Sequence, residues 1–564
     1  MMEKQQKNPK TLNDFLDISV EKFADRPALS FAYETPITYR EFRDKVIAVS
    51  RLLEKEGIQR GDRVAILGDN SPNWGISFFA ILRAGAIAVP ILPNFPESDI
   101  RHILSDSESR LLFTTQKQLE KVGDLGEGKL KHIITLDDFL TDDQALTVEP
   151  ISDLVERAIG FIKNIPRTIG LQSDSAGADE LASIIYTSGT SGHSKAVMLT
   201  HQNLISNAVT MSTLIHIQPG WTFLSIITMA HSLEFTAGFL LPIWGGARIV
   251  YLGKPPTPPL IEKACKEEKP QAICAVPMIL EKIFKKKVLT VLEKNLMIKV
   301  LTRLPGIKGK IFKKINRKLL DFFGGELEVM AIGGASFNLE AERFFNKAGF
   351  PYLVGYGLTE TSPVLAGGPF GDKTIKIAST GKPIPGVEIR IMDEDPDTGI
   401  GEIEARGPNI MKGYYKNPEL TREVLDDQGW FKTGDLGRMD KANNLYITGR
   451  SKNMILMSNG ENIYPEAIEG KINSSFFIIE SLVIENNGLL EAWVYPDYDL
   501  IDLETRGKTE KRKREFIAQM LEQLKAEINS QLGPHSKLSR VIEQKEPFEK
   551  TATLKIKRYL YSHE

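Results

Sequence analysis

Leu181 to His201 reads LASIIYTSGTSGHSKAVMLTH. Its apolar start, Leu181 to Tyr186, predicts a buried strand. A loop of small hydroxylated residues and glycines follows: Thr187, Ser188, Gly189, Thr190, Ser191, Gly192, His193 and Ser194. Lys195 and a second apolar run to Leu199 close the stretch. Glycine lets a backbone turn sharply and approach a ligand closely. Successive N–H groups in such a loop form an anion-binding nest, and the hydroxyls add donors. Lys195 supplies a point charge suited to phosphate. The physical expectation is a triphosphate cradle. It is not the P-loop pattern GxxxxGK(S/T), because Gly189 and Gly192 are separated by two residues instead of four. An ordinary polar turn between strands is the alternative that composition leaves open.

Upstream, strand-like and helix-like segments alternate. Leu12 opens an amphipathic helix, and Pro27 to Ala32 is strand-like. Thr38-Tyr-Arg-Glu41 has the form of a capping box before a helix that runs to about Gly57. Arg63 to Gly68 predicts a short buried strand, Asn70 to Arg83 a helix, and Ala88 to Leu92 another strand. That rhythm predicts α/β layers around a largely parallel sheet. Residues 95–175 continue it more loosely. Downstream, Asn203 to Ile215 predicts a helix, and Gly381 to Gly407 a Gly- and Pro-punctuated β region with a barrel-like form.

The composition bounds the function. At 564 residues the chain has room for several core-forming units, and 42% hydrophobic with 26% charged residues is ordinary for a globular protein. A net charge of −2 gives no reason to expect nucleic acid as a partner. Cys265 and Cys274 have no metal-site spacing and suggest no disulfide scaffold, which fits a reducing, cytoplasmic compartment. The polar start MMEKQQKNPKTLNDF lacks the apolar core of a signal peptide. The most apolar region, Phe223 to Leu252, is broken by His231, Glu234, Pro242 and Arg248, so no transmembrane helix is expected.

The string at 181–201 resembles YTSGT(T/S)GxPKGVxLTH, the phosphate-loop signature of the adenylate-forming superfamily. That group holds acyl-CoA synthetases, luciferases and peptide-synthetase adenylation domains. Ser194 and Ala196 replace the usual Pro and Gly, and neither change removes a phosphate ligand. Further stretches resemble the same family in the same order. They are Val329 to Ser336, Leu353 to Pro363, Trp430 to Gly437, Thr448 to Glu466, and Glu549 to Tyr559. Val276 to Phe284 looks like the VPxxxEKI segment of the long-chain fatty acyl group.

The resemblance implies a fold and a set of roles. The fold is α/β: a large N-terminal domain, 1–451, of layered α/β subdomains plus a β-barrel-like subdomain. A small mobile C-terminal α/β domain, 452–564, follows. Thr187, Ser188, Gly189, Thr190, Ser191, Gly192 and Lys195 would hold phosphates. Gly334 and Ala335 would border adenine, with Tyr356 and Gly357 beside it. Thr359 would lie by the α-phosphate and the substrate carboxylate, and Glu360 would hold Mg²⁺, a hard cation that takes carboxylate and phosphate oxygen. Asp435 would bind ribose, and Arg450 ribose and phosphate. Lys452 stands at the family's hinge position. His231 stands by the acyl site, and Gly460, Glu461 and Asn462 on the thiol side. Lys555 would be the catalytic lysine, although Leu554 replaces the usual Gly and Lys557 is a rival two residues on.

The activity so implied is that of a long-chain acyl-CoA synthetase using ATP, Mg²⁺ and coenzyme A on a fatty acid. An acyl-carrier-protein ligase is the runner-up. Luciferase-like oxidation shares the first half-reaction. A nucleotide-binding scaffold without activity is the reading from a different class.

One feature rests on spacing. Residues 285–318 carry twelve Lys or Arg against one acidic residue, Glu293. At ~100° per residue, Lys310, Lys313, Lys314, Arg317 and Lys318 share one helix face, opposite Phe312, Ile315, Leu319 and Phe322. Either the apolar face packs on the core and the charge is simply solvated, or residues 285–323 lie against the inner membrane face as a peripheral contact.

Overall fold

The computed structural model describes residues 8–123, 129–137, 148–150, 177–187, 194–289, 307–457, 462–533, 536–553 and 555–561. Local signals set the first elements. The Thr38 hydroxyl accepts the Glu41 N–H at 3.2 Å, and the Glu41 carboxylate accepts the Thr38 N–H at 2.7 Å. This reciprocal cap starts the helix Tyr39–Lys55, which buries Phe42, Val46, Val49 and Leu53 along one face. Ser71 caps the helix Pro72–Arg83, so that helix begins two residues after the expected start.

Two twisted sheets carry the large domain. The first runs in the order Gly413–Tyr414, Lys195–Thr200, Leu181–Thr187, Ile87–Ile91, Arg63–Leu67, Leu111–Thr114, His132–Thr135, Val148–Pro150. It is parallel from Leu181–Thr187 onward, and Lys195–Thr200 and Gly413–Tyr414 are added antiparallel at one edge. The second runs Tyr352–Val354, Val329–Ile332, Ala272–Ala275, Thr222–Ser225, Arg248–Tyr251, Pro27–Phe31, with Ile37–Thr38 antiparallel at the edge. Strands such as Ala272–Ala275 are buried along their whole length, as expected for a sheet covered on both faces. Cys265 and Cys274 are both buried and both free.

This order positions the site. Parallel strands deliver their following loops to one end of the sheet, where α/β folds bind ligands. Three segments singled out in the sequence leave that end: His231 after Thr222–Ser225, Gly334 after Val329–Ile332, and Tyr356 after Tyr352–Val354. The β region forms a four-stranded antiparallel sheet, Glu388–Met392, Gly401–Arg406, Phe431–Met439 and Leu445–Arg450, beside a three-stranded one. Ala366, Ile403 and Leu445 form a small core shared by the two.

The small domain has a sheet of its own, Ile478–Asn486, Leu489–Pro496 and Leu538–Glu543. Its core joins Ile468 and Ile472 to Ile517, Met520, Leu524 and Ile528 of the helix Glu510–Ser530. Each such aliphatic side chain contributes roughly 1.5–3 kcal/mol on burial.

The basic helix spans Ile307–Phe322. Phe312, Leu319 and Phe322 are buried in a large-domain core, and Ile315 packs against the same cluster. The apolar face is therefore covered by protein, which corrects the picture of a helix laying that face into lipid. Lys310, Lys313, Lys314, Arg317 and Lys318 are exposed on the other side. No described helix is long and apolar enough to cross a membrane.

Candidate active site

The hairpin that opened the sequence reading ends on the register pair Thr187 and Lys195. Ser188, Gly189, Thr190, Ser191 and Gly192 lie outside the described residues, as do Gly460, Glu461 and Leu554. Lys195 is half-buried, with its ammonium 5.1 Å from the centre of the Tyr414 ring. Burial lowers its pKa, Glu360 pulls it back up, and Lys452 and Arg450 lower it further.

Glu360 sits in the single turn Thr359–Thr361. The Tyr414 hydroxyl donates to Glu360 Oε1 at 2.9 Å, and the Met411 N–H donates to the Glu360 carbonyl at 2.8 Å. The turn is entered through Gly357, where an added Cβ would stand 1.8 Å from the Pro363 carbonyl oxygen, so only glycine fits. Gly334 has φ +87°, a conformation that also favours glycine, and Gly334 and Ala335 are both exposed.

Asp435 and Arg450 face each other across neighbouring strands. Arg450 Nε lies 2.7 Å from Asp435 Oδ1, and the Tyr356 hydroxyl donates to Asp435 Oδ2 at 2.6 Å. Both oxygens of this buried carboxylate are thus oriented. Burial raises the Asp435 pKa, while Arg450, Tyr356 and Lys555 oppose that rise.

His231 closes another side. Its Nδ1 accepts the Leu233 N–H at 3.3 Å, and the Ser232 hydroxyl lies 3.3 Å from that of Thr359. Burial, with Lys555 nearby, brings the imidazole down to about 4, so it is neutral at physiological pH. Glu234, which broke the apolar run in the sequence, is fully buried, and burial pushes its carboxyl up to about 8.

The small domain reaches into the same cleft. Lys555 closes a tight turn in which the Thr551 N–H donates to the Lys555 carbonyl at 2.8 Å. It keeps solvent exposure at the cleft mouth. Burial of its ammonium and the neighbouring Arg450 still lower its pKa, and Asp435 and Glu360 raise it. Lys557 instead faces Glu549, 4.0 Å away. Lys452 is exposed within the single turn Ser451–Asn453. Asn462 is exposed on a two-stranded hairpin with Ile455–Leu456.

The structure therefore brings together Lys195, His231, Tyr356, Thr359, Glu360, Asp435, Arg450, Lys452 and Lys555. The sequence reading missed Tyr414, which links Lys195 to Glu360. Its two-residue strand pairs with Lys195–Thr200 and leaves no periodic signal. Chemically, the cleft offers a fixed carboxylate suited to a pair of hydroxyls, and an excess of cations suited to a polyanion.

Comparisons with known proteins bear on the family and the fold. The model of a family described as AMP-binding enzyme matches residues 16–415. A chloroplastic long-chain-fatty-acid–[acyl-carrier-protein] ligase of Arabidopsis thaliana is 26% identical over 97% of this chain and 85% of its own. A long-chain-fatty-acid–CoA ligase of Escherichia coli is 29% identical over 81% of this chain and 80% of its own. Among solved structures, an anthranilate CoA ligase in complex with anthranoyl-AMP superposes with a TM-score of 0.79 at 19% identity. The match covers 100% of this chain and 98% of the other, and it shows the shared fold.

Proposed function

Because this chain belongs to the AMP-binding enzyme family, we propose that it is an ATP-dependent acid–thiol ligase acting on a medium- or long-chain fatty acid. The acid carboxylate attacks the α-phosphorus of ATP, giving acyl-AMP and pyrophosphate. The sulfur of coenzyme A then attacks the activated carbonyl and releases AMP. The observation that carries this reading is the meeting of Lys555 from the small domain with Arg450, Asp435 and Glu360 of the large one.

The residues divide the work by chemistry. Lys195 and the loop 187–192 hold the β- and γ-phosphates. Asp435, fixed by Tyr356 and Arg450, accepts from the ribose hydroxyls. Gly334, Ala335 and Tyr356 border the adenine. Thr359 and Lys555 face the reacting carboxylate and α-phosphate, where positioned charge lowers the barrier. Neutral His231 stands toward the acyl group, and the resemblance assigns Gly460, Glu461 and Asn462 to the thiol acceptor. Tyr414 engages one oxygen of Glu360, which fits a carboxylate that gives the other to Mg²⁺. Bound there, Mg²⁺ neutralises phosphate charge. The domains meet between residues 451 and 452.

The test is exchange of pyrophosphate into ATP across acids of graded chain length, followed by addition of coenzyme A or a phosphopantetheine-bearing acyl-carrier protein. Acid-dependent exchange, with thioester formed on coenzyme A, is expected. Thioester on the carrier protein alone would move the acceptor, as the Arabidopsis relative's name suggests. ATP binding without exchange would leave a scaffold and refute the ligase.

A fatty acid substrate also gives the exposed basic face a use. Lys310, Lys313, Lys314, Arg317 and Lys318 hold the enzyme electrostatically against an anionic leaflet, each contributing about 1 kcal/mol near such a surface. Wild-type protein is expected to co-sediment with anionic vesicles at low salt and to release at high salt. Replacing all five by Gln should abolish that binding and leave activity on a soluble short acid intact. If the wild type ignores anionic vesicles at low salt, the face is ordinary solvated surface.

A further inference from the structure

The lysine run at 285–287 reads in the sequence as a continuation of the exposed basic face. For Lys285 the structure says otherwise. Its ammonium crosses the domain boundary, donating to the carbonyls of Asn473 at 3.0 Å and Ile478 at 2.5 Å. Asn473 is the C-terminal cap of the helix Pro465–Ile472, so the cation meets the negative end of a helix dipole. Burial lowers the Lys285 pKa, and Glu281, one helical turn earlier, raises it. Glu281 is in turn fixed by the Asn338 N–H at 2.8 Å, and the Asn338 side-chain amide donates to the Ser474 hydroxyl at 3.0 Å. Phe476 completes the contact by packing against a large-domain core.

We propose that Glu281, Lys285 and Asn338 form a releasable clasp that holds the small domain where Lys555 enters the cleft, making Lys285 a positioning residue for the first half-reaction. This rests on the ligase reading above and adds one step to it: the small domain, mobile about Lys452 as the resemblance implies, withdraws Lys555 before the thiol attacks. The asymmetry of the contact is the physical reason. In the closed arrangement, loss of the ammonium leaves the carbonyls of the buried Ile478 and the partly buried Asn473 without their donor, and unpaired buried acceptors are costly. Once the small domain has turned away, those carbonyls and Lys285 are all hydrated, so the same loss costs little. The two bonds of the Lys285 ammonium cross between the domains and tie together no two elements of one domain. The clasp therefore biases an equilibrium between two arrangements and not the folding of either domain.

The test separates the half-reactions in the full chain. Pyrophosphate exchange reads the first, and thioester formation from pre-made acyl-adenylate reads the second. In Lys285→Met, exchange is expected to slow roughly ten- to a hundredfold, the scale of stranding a buried acceptor, and Phe476→Ser, which removes the apolar part of the contact, should slow it in the same direction. Thioester formation should be unchanged or faster. Lys285→Arg, which keeps a cationic donor, should recover part of the exchange. Domain position is read independently of turnover by energy transfer between dyes on Lys347→Cys and Lys545→Cys. Both positions are exposed, and the native cysteines are buried. The two clasp variants should shift the dye pair from the wild-type population to a second one. Equal loss in both half-reactions, or an unshifted dye population, overturns the clasp. If Lys285→Met does not fold, Phe476→Ser on the opposite face decides alone. A wild type without exchange would sink the ligase reading, and the dye measurement would still decide the clasp.

Discussion

Lys555→Ala is expected to slow acyl-adenylate formation by roughly two to three orders of magnitude, the scale of removing one preorganised electrostatic donor. It is expected to leave thioester formation from pre-made acyl-adenylate intact. The reason is positional. Lys555 closes a turn of the small domain, among Arg450, Asp435 and Glu360, and it comes from the domain that must later withdraw. A cation there offsets charge that gathers as the carboxylate approaches the α-phosphate. It has no task once pyrophosphate has gone. Lys557 supplies the control, since it faces Glu549 and not the cleft. Lys557→Ala should therefore exchange pyrophosphate at close to the wild-type rate. Rapid-quench measurement of each half-reaction checks both variants. Equal loss in the two halves for Lys555→Ala would remove the assignment, and a large loss for Lys557→Ala would move it.

The sequence made the architecture legible where local rules sufficed. The Thr38–Glu41 box needs four residues and no tertiary partner, and it caps the helix as read. The buried strands at Arg63–Leu67 and Leu181–Thr187 follow from short apolar runs. The motif residues converge because each lies in, or just beyond, a strand whose place in its sheet is fixed. Register was the hidden part. Asp435 and Arg450 were both marked in the sequence, but their ion pair depends on an antiparallel pairing that no single segment announces.

Tertiary context overrode composition in two places. Period alone gave the helix Ile307–Phe322 an apolar face, yet it could not say that the Phe344 ring would pack, tilted, 4.8 Å from that of a buried Phe312. A run of three lysines reads as solvated charge, and for Lys285 the nearest carbonyls proved to be on another domain. Tyr414 was illegible for a related reason. Its partner Glu360 lies 54 residues away, and its strand is too short to show alternation.

Lys452→Pro is expected to retain pyrophosphate release and to lose steady-state thioester formation. The observed arrangement can accept the substitution. Lys452 is the second residue of the single 3₁₀ turn Ser451–Asn453, a position whose N–H needs no intrahelical partner, and 3₁₀ turns ordinarily hold φ near the value proline fixes. Closure, and with it the approach of Lys555 to the cleft, should survive. What proline forbids is a different φ. A hinge must take up two sets of backbone angles, and a residue locked in one of them stops the domain after the first half-reaction. The small domain then stays where Lys555 blocks the thiol. The signature is one turnover of pyrophosphate per enzyme with acyl-adenylate accumulating on the protein, read by acid quench. The dye pair on Lys347→Cys and Lys545→Cys should report a single closed population that coenzyme A does not change. Steady thioester turnover in Lys452→Pro would show that the rotation pivots elsewhere. Loss of pyrophosphate release would show that the proline had disturbed the closed site itself.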